Sequence, residues 1–136
     1  SQQFAKAIAA QAETVDASTV IFAHSSQGKS VAGRVSVRLN AGLVSAVTAL
    51  PEISDGFTVG KSLFSGKALA NYSISGDKRV LTLVGNAVLL EEGSASPSVQ
   101  DSSIVLEASK IKGVNTSTVE GIVPLPEAEL VVSAGR

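Results

Sequence analysis

The sequence predicts an α/β fold, a parallel sheet with flanking helices plus an antiparallel strand segment. Three observations carry that reading. An Ala-rich stretch with helical spacing opens the chain, from Gln2 to Val15. A short β-branched run and a second helical pattern follow, which is the βα unit of a parallel sheet. Beyond Gly42 the pattern changes to short β-prone segments separated by turn residues.

Each element has its own signal. In the first helix Phe4, Ile8, Ala12 and Val15 share one face, the face predicted to be buried. Ser18–Ala23 (STVIFA) reads as a buried strand, because apolar, β-branched residues fill it with little alternation. His24–Gln27 is a polar turn with Ser26 as its N-cap. The second helix is predicted over Ser30–Asn40, with Val31, Val35 and Leu39 on its inner side and Arg34 and Arg38 offset from it. Ala41-Gly42 ends it.

Ser45–Leu50, Phe57–Phe64, Ala68–Ile74 and Arg79–Leu90 read as strands, with hairpin-like turns at Gly66 and at Ser75-Gly76-Asp77. Residues 92–102 are small, polar and interrupted by Pro97, the composition of a flexible surface loop. Ser103–Ile111 alternates Ile104, Leu106 and Ala108 and reads as a further strand. Leu130–Ser133 is apolar again after Pro124 and Pro126.

This inventory leaves the first helix without a sheet face and the first strand without parallel neighbours. The expectation is that βα units precede Ser1, or that a partner supplies the missing edge. The chain has no methionine and opens on Ser1, which fits a processed or cut piece of something longer.

Composition narrows the function. At 136 residues the chain allows one domain and buries enough surface for a real core. Hydrophobic residues make up 44% and charged ones 17%, which excludes a disordered protein. A net charge of −1 provides no basic field for nucleic acid or an anionic membrane. With aromatics at 4%, stacking platforms for bases are scarce. The absence of cysteine removes disulfides and thiolate chemistry, and a single histidine argues against a His-rich zinc site. No run of eighteen apolar residues exists to insert in a membrane.

The sharpest local motif is Ala23-His24-Ser25-Ser26-Gln27-Gly28-Lys29-Ser30, a loose form of the phosphate-binding loop between a strand and a helix. In such a loop backbone N–H groups meet phosphate, Lys29 neutralises it and Ser30 holds Mg²⁺. The first glycine is missing, and Glu91-Glu92 is the nearest imitation of a metal carboxylate. A nucleotide-binding or hydrolysing domain built on residues 23–30 is therefore an alternative reading; a helix start with an exposed lysine is the plainer one. His24 reads as a turn residue, and Glu91 and Glu92 point to opposite faces if they lie in a strand. Asp55, Asp77 and Asp101 suit turns, and Lys78-Arg79 is too short for a nucleic-acid patch. The residues alone contain no catalytic constellation.

Four stretches, taken in order, resemble the electron transfer flavoprotein α subunit family. They are Gly28-Lys29 followed by Gly33–Ser45, then Phe64–Ala70, then Arg79–Val84, then Leu130–Arg136 (LVVSAGR). Their order and spacing agree with the family from about Ser18 to Arg136. Gly33 stands where the family has proline, Ala46 where aspartate follows the serine, and Val84 where arginine is usual.

The resemblance implies a partial nucleotide-binding-like domain. Residues 1–136 would be the later part of the α subunit's first domain, ending at the start of the FAD-binding domain. The family pairs α with a β subunit that binds AMP. It carries electrons from acyl-CoA dehydrogenases or similar flavoenzymes, as in fatty acid oxidation, to a quinone oxidoreductase. It is an electron carrier rather than an enzyme, found in the bacterial cytoplasm or mitochondrial matrix. This segment would act as scaffold and subunit contact. Arg136 matches the family arginine that touches the flavin nucleotide, while the rest of the FAD site would lie elsewhere.

Overall fold

Helices α1 (Gln2–Thr14) and α2 (Ser26–Leu39) and strands β1 (Thr19–Ala23), β2 (Gly42–Val47), β3 (Thr58–Leu63), β4 (Ala68–Ser73) and β5 (Arg79–Leu83) make up the regular structure. The computed structural model describes residues 2–89 and 91–135. The α/β class is as the sequence predicts. The helix positions follow the apolar pattern, with one rotation. In α1 the buried stripe is Ala5, Ala9 and Ala12, whereas Phe4 and Val15 are exposed. The expected Phe4–Val15 face is wrong for a steric reason. α1 packs against α2, and alanines let the two backbones approach where a phenylalanine would hold them apart. Ile8 alone of the larger residues packs against the core from α1.

α2 begins at Ser26, not Ser30. Its cap is Ser25 rather than Ser26: the Ser25 hydroxyl accepts from the Gly28 N–H at 3.1 Å. Gly28 permits the early start. A Cβ there would collide with the Ala23 carbonyl oxygen, so only glycine lets the first turn sit down on the strand. At the other end Asn40 adopts the left-handed conformation (φ 50°, ψ 43°) and its N–H points back to Ser36 and Val37 carbonyls. The inner face of α2 is as predicted, with Val31, Val35 and Leu39 buried.

The sheet has the order β1-β5-β2-β3-β4. β5 is parallel to both β1 and β2, and β3 is antiparallel to both β2 and β4. β1 was expected to need parallel neighbours from outside; one of them, β5, comes from within the chain. β1 is an edge strand, and its Ile21 is exposed rather than buried. β5 is not the next arm of an antiparallel run, as the turn at Ser75-Gly76-Asp77 suggested. It ends at Leu83, and Leu90 lies outside the described residues. β2 starts at Gly42, before the predicted Ser45.

Adjacent strand residues point to opposite faces, so Val80 and Leu81 divide the core in two. On one face Val80 joins the inner residues of α1 and α2. On the other Leu81 joins Val44, Val47, Val59 and Ile74. This second layer depends on a bulge in β2. The register with β5 slips between Val44 and Val47, and Ala46 sits there at φ +58°. A bulge bends its strand and increases the twist. Nearby, Ile74 lies against Gly42, and Arg79 stacks on the Phe57 ring at 4.6 Å. A Cβ on Gly42 would lie 2.7 Å from Ile74 Cγ2, so that close approach also requires glycine.

Residues 91–124 contain no helix or strand. Residues 92–102 are exposed and carry no regular element, and the strand expected over Ser103–Ile111 is absent. Its alternation survives as exposure, with Ile104 half-buried and Val105 open to solvent. A strand needs a ladder partner, and here the chain runs along α1, which offers only side chains. Lys6 pairs with Glu107 at 2.8 Å, Gln3 Nε2 donates to the Glu107 carbonyl at 2.6 Å, and Ser102 donates to Gln11 at 3.3 Å.

Leu81→Ala should lower stability by about 2–5 kcal/mol, read as a shifted urea midpoint, because a side chain only 1% exposed leaves a cavity. The tail contact should respond to acid. The hydrogen bond and charge of Lys6 hold the Glu107 carboxyl below its ordinary range. A group lowered on folding contributes above its unfolded pKa and loses that contribution as pH falls through the lowered value. NMR order parameters of residues 102–110 should drop in acid, and at neutral pH in Lys6→Ala, while those of β5 hold.

Candidate functional site at the carboxyl ends of the parallel strands

In open α/β sheets ligands bind outside the carboxyl ends of the strands. Here the ends of β1, β5 and β2 meet beneath the first turns of α2. The register sets Phe22 beside Thr82, and His24, just beyond β1, donates its N–H to the Leu83 carbonyl at 2.7 Å. Thr82 is 1% exposed. Its hydroxyl accepts the Ala46 N–H at 2.9 Å and lies 2.7 Å from His24 Nδ1. A hydroxyl has one hydrogen to give. In the bond to Nδ1 the roles follow from the ring's tautomer: the hydroxyl gives its hydrogen to a bare Nδ1 or accepts one from Nδ1–H.

A cavity of about 250 Å³ opens beside these groups, lined by His24, Lys29, Gly33, Leu43, Ser45 and Thr82. Lys61 on β3 holds its Nζ 3.5 Å from Ser45 Oγ, one of the lining residues. A separate apolar groove of about 310 Å³ lies between α1 and the start of α2, bounded by Phe4, Ile8, Phe22, Gly28 and Val31. Sites for drug-sized ligands run from roughly 300 to 1,000 Å³.

The phosphate-loop motif does not form a cradle. Only His24 and Ser25 separate β1 from α2. The Gly28 N–H is taken by Ser25 Oγ and the Lys29 N–H by the Ser25 carbonyl. Ser30 donates its hydroxyl to the Gln27 carbonyl at 2.8 Å, turned back to its own helix. Glu91 and Glu92 are exposed, in a segment with no strand. Arg136, the expected flavin contact, lies outside the described residues. Among the described residues no group of three His, Asp or Glu could hold a metal ion, and no helix is long and apolar enough to cross a membrane.

The family model described as "Electron transfer flavoprotein domain" matches residues 1–120. The chain belongs to the electron transfer flavoprotein family. It is similar to the electron transfer flavoprotein subunit alpha of Mycobacterium leprae (strain TN), with 30% identity over 132 residues. That match covers 95% of this chain and 41% of the relative, so the chain spans well under half of the relative's length.

Within this electron transfer flavoprotein domain, the sequence assigned Thr82 no role and marked Ala46 only as a departure from the family pattern. The available signal was a lone hydroxyl in the apolar run Val80-Leu81-Thr82-Leu83-Val84. Thr82→Val should cost about 1–3 kcal/mol, since the Ala46 N–H and His24 Nδ1 both lose their partner. Chemical denaturation measures the loss. The Ala46 amide should also exchange faster with solvent, which a simple packing defect at Thr82 would not single out.

Proposed function

We propose that residues 1–136 are the later part of the first domain of an electron transfer flavoprotein α subunit, serving as scaffold and as contact for the β subunit. The observation that carries this reading is the family match across residues 1–120, supported by the α-subunit relative aligned over 95% of the chain. In the assembled protein FAD supplies the redox chemistry. Electrons pass from acyl-CoA dehydrogenases or similar flavoenzymes to a quinone oxidoreductase, in the bacterial cytoplasm or mitochondrial matrix. FAD is held chiefly by the second domain, with Arg136 touching the nucleotide. The chain itself catalyses no reaction.

Its contribution is geometric. A sheet buried on both faces by separate apolar clusters gives a stiff platform. The open edge of β1 and the exposed Ile21 give it a surface for a partner. The phosphate-loop alternative has little support, because the hydrogen bonds that would hold a phosphate already close the helix.

Co-expression with an electron transfer flavoprotein β subunit should yield a stoichiometric complex, and the purified chain alone should lack visible flavin absorbance. Calorimetric titration with Mg²⁺-ATP should give no binding heat, in the chain or in Lys29→Ala. Failure to form the complex, together with micromolar ATP affinity abolished by Lys29→Ala, would overturn the proposal.

A further inference from the structure

We infer that the cavity at the ends of β1, β5 and β2 is a binding site for a small tetrahedral oxyanion, either free phosphate or the terminal group of a phosphomonoester. The site takes the Lys29 side chain from the first turn of α2 but none of that turn's backbone groups, and it is independent of the subunit role proposed above. Three polar side chains able to donate line it, those of His24, Lys29 and Ser45, and Lys61 stands 3.5 Å from Ser45 Oγ. Thr82 occupies His24 Nδ1, which leaves Nε2 as the ring's other hydrogen-bonding atom. Ser45 accepts from Lys61 and keeps its own hydroxyl hydrogen free to donate. Lys29 and Lys61 supply two positive charges.

No carboxylate lines the cavity. Among the described residues neither Lys29 nor Lys61 has an acidic partner within ion-pair distance; the one such pair joins Lys6 to Glu107. Lys61 is half-buried in a strand, an unusual place for an unpaired ammonium. Two ammonium groups, a hydroxyl and an imidazole match the charge and the several acceptor oxygens of a phosphate dianion. A carboxylate would satisfy only some of them. The volume of about 250 Å³ suits a group of that size.

The backbone supports the same conclusion. Ala46 is held at φ +58° in a strand, a conformation a non-glycine residue adopts only when its surroundings impose it. Thr82 imposes it, through the Ala46 N–H. The same hydroxyl orients His24. One buried side chain thus sets both the bend that places Ser45 at the cavity and the ring that lines it. Thr82 is a positioning residue here, while His24, Ser45, Lys29 and Lys61 touch the ligand.

The test is a ¹H–¹⁵N NMR titration of the 136-residue chain with inorganic phosphate, at constant ionic strength and pH. Saturable shifts should appear at the Ala46 and Ser45 amides and at His24 Nε2, with a millimolar dissociation constant. Lys61→Met and Lys29→Met should each weaken binding about tenfold, the loss of one charge-assisted hydrogen bond, and Lys61→Arg should restore it. Lys29 is exposed on α2, so its variant tests the site even if Lys61→Met fails to fold. Methyl phosphate and acetate form two further arms. Methyl phosphate binding at least as tightly as phosphate assigns a phosphomonoester; rejection of methyl phosphate assigns the free ion. Shifts that do not saturate, that survive in both lysine variants, or that acetate reproduces at equal affinity would overturn the proposal.

Discussion

The bond from the Ala46 N–H to the buried Thr82 hydroxyl is the constraint on which the rest of the structure depends. It fixes a bulge in β2 where a straight strand would otherwise run on. Beyond the bulge, Val59 of β3 and Ile74 after β4 join Val44, Val47 and Leu81 in a second apolar cluster, apart from the one under the helices. Without it, Leu81 and Val44 would have no second layer. The fold therefore solves a problem typical of small α/β domains. Both helices lie on one face, and the other face must be covered by the sheet's own margin.

Much of this was legible in the sequence. Both helices and the hairpin strands around Gly66 follow from local pattern, because periodicity and turn chemistry act over a few residues. What escaped was non-local. β5 reads identically whether it pairs in a hairpin or slots between β1 and β2, since an apolar run of five residues states only that it is buried. The Ser103–Ile111 alternation is a real strand signal that finds no ladder partner. At α1 the pattern named a helix correctly and its inner face wrongly. Close helix packing selected Ala5 and Ala9 over Phe4, which hydrophobicity alone ranks the other way.

The site divides in the same manner. The strand–turn–helix around residues 23–30 was found from sequence, and its chemistry was over-read. Ser25 capping and the close seating of Gly28 use up the groups that a phosphate would need. The resemblance to electron transfer flavoprotein rested instead on widely spaced stretches whose order agrees, and the family match extends over most of them. The local motif had one meaning in isolation and another in the folded chain. Thr82 and Ala46, 36 residues apart, come together only through the parallel register of β2 and β5.

That register also dictates an order of assembly. β1 and β2 are both complete early in the chain, yet they cannot pair with each other, because β5 occupies the place between them. On the ribosome they must wait for β5, which is a delay of about 2–7 s at the usual speed of synthesis. Throughout that interval the nascent chain exposes two unpaired strand edges and the apolar underside of α2. The strand that lies between them is made last and joins two parts that were waiting for it, so any slowing of translation between β2 and β5 lengthens the period in which this domain is most exposed to chaperones and to misfolding.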